Sequence, residues 1–234
     1  MTLEKKNQND KLSSELDRSF DIKYDFSNKP IIRIKNTNSN NGKNELLNLL
    51  KNKIHSIKDC RLKSNAKNMV FADGDISSDI MIVGEGPGEK EDDSGKPFTG
   101  DAGKLLNKML GAIKLNRNRI YISNVVNYRP PNNRKPELDE IYRYSVFLKE
   151  HISIIDPKIL ILMGSTAMES LFGNKIKISK ERGKWKEIII HNKTYLSIIT
   201  FHPAYLLRQP EQKKFSWSDL KVIKKKIDEL KIKI

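Results

Sequence analysis

The chain has 234 residues, which suits one domain, and its 44 lysines and arginines against 29 acidic residues give a formal net charge of +15. This excess favours a partner that carries phosphates, although a composition rich in Lys, Asn and Ile would raise the charge without any such partner. Cys60 is the only cysteine, which excludes an intramolecular disulfide and a metal site with four thiolates in one chain.

Two parts of the chain differ in composition. Residues 1–42 are polar and include a run of Asn and Ser, so we expect a disordered or loosely attached extension. Residues 43–234 carry the apolar runs that a folded domain needs. Within them Asn44 is the expected N-cap of a first helix, and residues 69–71 are expected to form an edge strand.

The rest of the chain alternates apolar runs with amphipathic segments. Nearly continuous apolar runs predict buried strands over 79–85, 119–126 and 158–164, and two β-rich runs over 186–191 and 194–203 predict a hairpin. Helices are expected after Gly100, over 137–154, after Ser165 and over 216–230. This order predicts a three-layer α/β/α sandwich with a central, mostly parallel four-stranded sheet.

Three loops follow the ends of predicted strands and should therefore share one edge of the sheet: 85–100, 124–136 and 202–210. In the first loop, which contains GEGPGEKEDDSGKPFTGDAG, carboxylates crowd together although the chain is basic. Glu85 follows a buried strand directly, so its carboxylate serves either chemistry or the capping of a helix. Most of the other acids in this turn are expected to be solvated.

The second and third loops carry further candidates. Asn124 ends a strand, where its amide can read the edge of a nucleic-acid base or merely cap the turn. Arg129 and Arg134, among prolines and asparagines, suit phosphates, and the alternative is an ordinary exposed loop. His202 also ends a strand and is either structural or catalytic. Residues 205–208 after it would form a protruding tip that can enter a duplex.

These segments, in this order, resemble the family 4 uracil-DNA glycosylases. The matching blocks are GEGPGEKEDDSGKPFTGDAG, NVVNYRPPNNRKP, LMGSTA, Arg182-Gly183, TFHPAYLLRQP and a downstream WSDL. The resemblance covers roughly residues 57–227 of the chain. It implies a DNA-repair hydrolase that flips uracil out of DNA and cuts its N-glycosidic bond, leaving an abasic site without a lyase step.

The resemblance also implies how the base is held. Phe98 would stack on the flipped uracil, and Asn124 would bind its pairing edge and select uracil over cytosine. Gly84 and Gly86 would belong to the same binding wall. Other uracil glycosylases carry a water-activating aspartate at the position of Gly86.

Catalytic roles follow by the same resemblance. Glu85 and Glu91 are the candidates to orient the attacking water, and the sequence does not decide between them. His202 would stabilise the charge that develops on the uracil carbonyl. The residues implied to contact DNA lie in the second and third loops: Arg129, Asn133, Arg134, Leu206, Leu207 and Arg208.

The chain departs from the family at one group of residues. The family typically holds a [4Fe-4S] cluster on four cysteines, and here only Cys60 remains. Ile57, Tyr128 and Tyr144 occupy the other three positions. We therefore expect no cluster, no other metal or cofactor, and a small aromatic–apolar cluster of side chains in its place.

Two other functions stay open. The chain could be a DNA-binding module that kept the fold and lost the chemistry, or a glycosylase that acts on another deaminated base such as hypoxanthine. The partner expected in each case is DNA, with uracil-containing DNA as the first choice. No long apolar run or apolar N-terminal segment is present, so we expect a cytoplasmic monomer that does not contact a membrane.

Overall fold

The fold is given by a computed structural model in which residues 40–233 are described. Most of the expected N-terminal extension, residues 1–39, lies outside the described residues. Residues 40–42 already belong to the first helix, which begins four positions before the expected cap at Asn44. The helices are α1 (Asn40–His55), α2 (Arg61–Asn65), α3 (Glu89–Ser94), α4 (Asp101–Ala112), α5 (Leu138–Ile155), α6 (Ser165–Phe172), α7 (Ile178–Glu181), α8 (Pro203–Arg208) and α9 (Lys213–Glu229).

Six strands of the described chain form one sheet in the order β1-β3-β2-β4-β6-β5. They are β1 (Ala72–Gly74), β2 (Ile80–Gly84), β3 (Tyr121–Asn124), β4 (Ile159–Met163), β5 (Trp185–Ile190) and β6 (Lys193–Thr200). The four central strands are parallel, as predicted, and the predicted hairpin is β5–β6. The antiparallel strands β1 and β5 widen this parallel core at its two edges. The edge strand expected at 69–71 lies just downstream, at β1.

The sheet is covered on both faces, which confirms the three-layer α/β/α fold. Met81 and Val83 of β2 pack into a core with α1, α5 and α6, whereas Ile80 and Ile82 pack into a second core with α4 and α9. Successive side chains of a strand point to opposite faces, so a strand buried on both faces must be apolar throughout. No helix within residues 40–233 is both long enough and apolar enough to cross a membrane.

The carboxyl ends of the four parallel strands meet at one edge of the sheet. The residues that follow β2, β3, β4 and β6 are therefore neighbours in space although they are far apart in sequence. The pairing of β2 with β3 places Gly84 directly beside Asn124. The last residue of β4, Met163, pairs with Thr200 of β6. This edge therefore positions all three loops that carry the predicted site.

One buried histidine links the sheet to α5. His151 lies within 2.9 Å of the Tyr121 hydroxyl through Nε2 and stacks on Phe71 at 4.6 Å between ring centroids. Burial lowers the pKa of His151 to about 3. The ring is therefore neutral in the folded protein at any pH above that value.

We predict that His151 makes stability fall with acidification. Below about pH 6.5 the unfolded chain binds a proton on this histidine and the folded chain does not, so the free energy of unfolding falls by about 1.4 kcal/mol per pH unit towards pH 4. Urea denaturation of the wild type and of His151→Gln at pH 6.5, 5.5 and 4.5 measures the contribution. The variant should lose less stability over this range. His191→Gln, at an exposed histidine, is the control, and equal pH dependence of wild type and His151→Gln would contradict the prediction.

Candidate active site

A cavity of about 580 Å³ opens at the carboxyl edge of the sheet. Its wall brings together predicted residues from all three loops: Glu85, Gly86, Glu91, Phe98, Asn124, Asn133, Arg134, His202 and Arg208. Gly84, Arg129, Leu206 and Leu207 do not line it. The volume and the mixture of apolar and polar walls suit a small planar ligand.

Two glycines allow the walls of this cavity to approach each other. A Cβ at Gly84 would lie 2.4 Å from Asn124 Oδ1 and 2.5 Å from Phe98 Cζ, both far inside contact distance. A Cβ at Gly86 would lie 2.7 Å from Val126 Cγ2. The absence of a side chain at Gly84 is therefore what lets the amide and the aromatic ring meet.

Phe98 provides an aromatic wall. The residue is only 6% exposed, yet it lies in the cavity wall. Its ring centroid is 5.4 Å from that of His202, with the two planes tilted by 30°. Its backbone has φ 55°, a left-handed conformation that is costly for a bulky residue. The loop therefore holds Phe98 in a strained backbone conformation.

Asn124 is 3% exposed, and its Oδ1 is buried without a hydrogen-bond partner among residues 40–233. An unpaired buried acceptor costs about 1–3 kcal/mol, so such atoms are rare unless a ligand completes them. The amide offers an acceptor and a donor side by side in one plane. Asn124 is therefore suited to a ligand that presents a donor next to an acceptor.

His202 begins α8 as its N-cap. The backbone N–H of Ala204 donates to Nδ1 at 3.2 Å, so the neutral ring carries its proton on Nε2. Burial, together with the nearby positive charge of Arg208, lowers the pKa of His202 to about 4. At neutral pH the residue is an uncharged hydrogen-bond donor in the cavity wall.

Glu85 is half-buried and faces the cavity. The hydroxyl of Thr166, a fully buried residue in the first turn of α6, donates to its Oε2 at 2.5 Å. This contact fixes one carboxylate oxygen and leaves the other free of that constraint. Sequence reasoning did not identify Thr166, and the only signal for it was its place in LMGSTA at the end of a strand.

The Glu91 carboxylate accepts hydrogen bonds from three backbone amides. The amides of Gly88, Thr99 and Gly100 donate to its carboxylate at 3.1, 2.8 and 2.7 Å. These bonds cap α3 and tie its first turn to the loop that follows Phe98. The geometry makes Glu91 a clamp between two parts of the first loop.

The basic residues of the second loop are paired within the protein. Arg134 donates at 2.7 Å to each carboxylate oxygen of Glu140, which lies in the first turn of α5. Arg129 Nε donates to Asn133 Oδ1 at 2.8 Å, and its guanidinium lies 3.7 Å from Glu89. These contacts fix the shape of the loop and partly neutralise its charge.

The expected tip at the end of the third loop is smaller than the sequence indicated. Leu206 is 1% exposed and belongs to the core, whereas Leu207 is 45% exposed. Successive residues of a helix point in directions about 100° apart, so two adjacent leucines cannot both leave α8 on the same side. The exposed tip therefore consists of Leu207 and Arg208.

Comparison with protein families matches residues 71–224 to the Uracil DNA glycosylase superfamily. The chain belongs to this superfamily. It is 40% identical over 165 residues to the Type-4 uracil-DNA glycosylase of Thermotoga maritima, which covers 70% of this chain and 84% of the relative. It is 41% identical over 186 residues to that of Sulfurisphaera tokodaii, covering 76% and 83%. For the Archaeoglobus fulgidus protein of the same name the identity is 36% over 183 residues, covering 76% and 92%.

The resemblance predicted from the motifs is thus confirmed at the level of the family. As a member of the Uracil DNA glycosylase superfamily, the chain has an α/β fold with its parallel strands in the centre of the sheet, as expected. The matched segment includes all three loops that surround the cavity.

The residues at the expected cluster positions do not suit an iron–sulfur cluster. Cys60 Sγ lies 3.3 Å from the Tyr144 hydroxyl, and the Tyr128 hydroxyl lies 3.2 Å from His55 Nδ1. Burial raises the pKa of Tyr128 to about 12 and that of Tyr144 far above its ordinary value, so both remain neutral phenols. Within residues 40–233 no three His, Cys, Asp or Glu side chains lie close enough together to hold a metal.

We predict that Glu91 acts mainly through stability. Glu91→Gln removes the charge that accepts three amide hydrogen bonds, and bonds to charged groups are worth about 1.5–3 kcal/mol. Urea denaturation at pH 7 should show a loss of that size. Asp93→Asn, at an exposed carboxylate two residues away, is the control and should change stability by no more than about 0.5 kcal/mol. An unchanged stability of Glu91→Gln would contradict the role of a clamp.

Proposed function

We propose that the protein is a DNA-repair glycosylase that hydrolyses the N-glycosidic bond of uracil in DNA and leaves an abasic site. Identity of 36–41% to proteins named Type-4 uracil-DNA glycosylase supports this function. The single observation that carries it is Asn124 Oδ1, which is buried in the cavity wall beside the Phe98 ring and has no hydrogen-bond partner within the described part of the chain.

The amide of Asn124 is complementary to uracil. Uracil presents an N–H donor at N3 next to a carbonyl acceptor at O4, which pair with an amide oxygen and an amide N–H respectively. Cytosine presents the reverse pattern. Its N3 acceptor would face the amide oxygen, and its N4 amino donor would face the amide N–H. A site built for hydrogen bonding rejects such a mismatch because it leaves buried groups unpaired.

The aromatic wall offsets the cost of removing the base from the duplex. Flipping costs a few kcal/mol of stacking and pairing, and stacking on an aromatic ring returns about 1–3 kcal/mol. Phe98 would supply this contact. Gly84 and Gly86 would let the base approach the backbone at the end of β2.

His202 and Glu85 have the chemistry that bond cleavage requires. As the bond between C1′ and N1 breaks, its electron pair moves to uracil and cationic character develops on the sugar. Neutral His202 would donate its Nε2 proton as a hydrogen bond to the uracil carbonyl and stabilise the anion. Glu85 would face the sugar, stabilise its charge and accept a proton from the attacking water, whose oxygen forms the new bond to C1′. Thr166 would keep Glu85 in this orientation.

The two carboxylates therefore have different roles. Glu91 accepts three amide hydrogen bonds and has little remaining capacity to bind water. Glu85 accepts one hydrogen bond from a side chain and faces the cavity. We assign the orientation of the water to Glu85 and the shape of the loop to Glu91.

The duplex would be held by the exposed tip and the basic loop. Arg208 lies in the cavity wall, and the exposed Leu207 precedes it in α8. The apolar side chain of Leu207 would fill the space that a flipped base leaves. Arg129, Asn133 and Arg134 would hold the second loop against the DNA backbone. The net charge of +15 adds long-range attraction to phosphates.

We predict that the protein releases uracil from a uracil-containing oligonucleotide, so that alkali then cuts the strand at the abasic site, and that Asn124→Asp releases uracil more slowly by roughly 10- to 100-fold. The variant loses the amide donor and leaves O4 of uracil against a carboxylate, a penalty of about 1–3 kcal/mol. Single-turnover rates on duplexes containing uracil, cytosine or hypoxanthine measure both claims.

Asn118→Asp makes the same change of charge at an exposed position outside the cavity and is the control. A strand that stays intact with the wild-type protein would reject the proposed function. Equal rates for wild type and Asn124→Asp would reject the role of the amide, and a preference for hypoxanthine would replace uracil as the substrate.

We further propose that the domain works without an iron–sulfur cluster. Its only thiol, Cys60, contacts a neutral tyrosine, and the other expected ligand positions hold Ile57, Tyr128 and Tyr144. Protein purified without air should contain no stoichiometric iron, and neither an iron chelator nor Cys60→Ala should lower the rate of uracil release. Stoichiometric iron whose removal abolishes activity would refute this proposal.

A further inference from the structure

Arg117 connects the Phe98 loop to the sheet. It lies in the short 3₁₀ turn Arg117–Arg119, just before β3. Its guanidinium donates to the carbonyl oxygen of Pro97 at 2.7 Å and to that of Phe98 at 3.1 Å. The side chain is 18% exposed and does not line the cavity. The Arg117 side chain therefore hydrogen-bonds to the backbone of the Phe98 loop and not to the aromatic ring.

The same guanidinium is anchored on two other elements. It forms an ion pair with Asp73 of β1, at 3.1 Å from Nη2 and 3.4 Å from Nε. It also donates to Asn107 Oδ1 of α4 at 3.1 Å. Because guanidinium donors have a fixed planar arrangement, these partners define the positions of the two carbonyl groups relative to the sheet and to α4.

The backbone at Phe98 needs such support. Its φ of 55° costs about 1–3 kcal/mol for a residue other than glycine, so the conformation persists only if its surroundings determine it. On its other side the Phe98 carbonyl packs against Gly103 of α4, where a Cβ would lie 1.8 Å from the oxygen. The carbonyl is thus held between a glycine without a side chain and an anchored arginine.

We propose that Arg117 is a positioning residue for uracil recognition. It fixes the Phe98 backbone in the conformation that presents the ring to the flipped base, and it acts through Phe98 without touching the substrate. This inference rests on the proposed function, because it assigns Arg117 to the same base-binding site. Among the described hydrogen bonds, no residue of the three predicted loops donates to the Phe98 carbonyl oxygen.

The test compares Arg117→Ala with Arg119→Ala, which removes an exposed arginine of the same turn and causes the same change in net charge. Three quantities are measured: the single-turnover rate of uracil release, the inhibition constant of free uracil, and the affinity for an undamaged duplex. Arg117→Ala should slow release by roughly 10- to 100-fold, since small misplacement of a binding group can cost that much. It should also weaken inhibition by free uracil. Its affinity for the undamaged duplex should equal that of Arg119→Ala.

A double-mutant cycle with Phe98→Leu separates positioning from general stability. If Arg117 acts through the ring, adding Arg117→Ala to Phe98→Leu should lower the rate of uracil release by less than about threefold. An undiminished effect in that background would overturn the proposal, as would an equal loss in Arg119→Ala. Arg117→Lys keeps the positive charge beside Asp73 but lacks the planar set of guanidinium donors. This variant is used instead if Arg117→Ala does not fold. Failure of the wild type to release uracil would instead reject the proposed function.

Discussion

The parallel pairing of β2 with β3 is the contact on which the site depends. It places Gly84 beside Asn124, and only a residue without a side chain leaves room there for both the amide and the ring of Phe98. This register is set by apolar side chains buried on both faces of the sheet. A slip by one residue would exchange the faces of every side chain in the strand, so core packing and site geometry are fixed together.

Charged side chains hold the first loop in addition to the apolar packing of Phe98. Glu91 accepts hydrogen bonds from amides in two parts of the loop, and Arg117, in the turn before β3, donates to two of the loop's carbonyl groups. A loop that presents strained backbone must satisfy its own N–H and C=O groups, because a buried group without a partner costs free energy. The charged groups around Phe98 therefore compensate for a conformation that the residue would not adopt alone.

Part of this structure could be predicted from sequence because it depends on short-range patterns. The apolar runs predicted the parallel core, and the rule that parallel strands end at one edge brought Asn124 and His202 to the same cavity as Glu85. Side-chain partners far apart in sequence could not be predicted. The bond from Thr166 to Glu85 joins residues 81 positions apart, and neither residue reveals it locally. The burial of Leu206 depends on the rotation of a six-residue helix, which is too short for a hydrophobic period to define.

The first loop carries several carboxylates beside the site where the protein is proposed to bind DNA, which is itself negatively charged. The surroundings of these carboxylates resolve this apparent conflict. Glu91 and Asp92 are both buried, and each is surrounded by backbone N–H donors, those of Lys67 and Asn68 in the case of Asp92. Their negative charge is therefore largely compensated inside the protein. Glu85 has no backbone donor of this kind among the described hydrogen bonds, and it is the carboxylate that faces the cavity. Its charge, which forms no ion pair among the described residues, thus lies where the proposed reaction would develop a cationic sugar. The exposed carboxylates of the same loop, Glu89 and Asp93, lie beside Arg129 and Lys67.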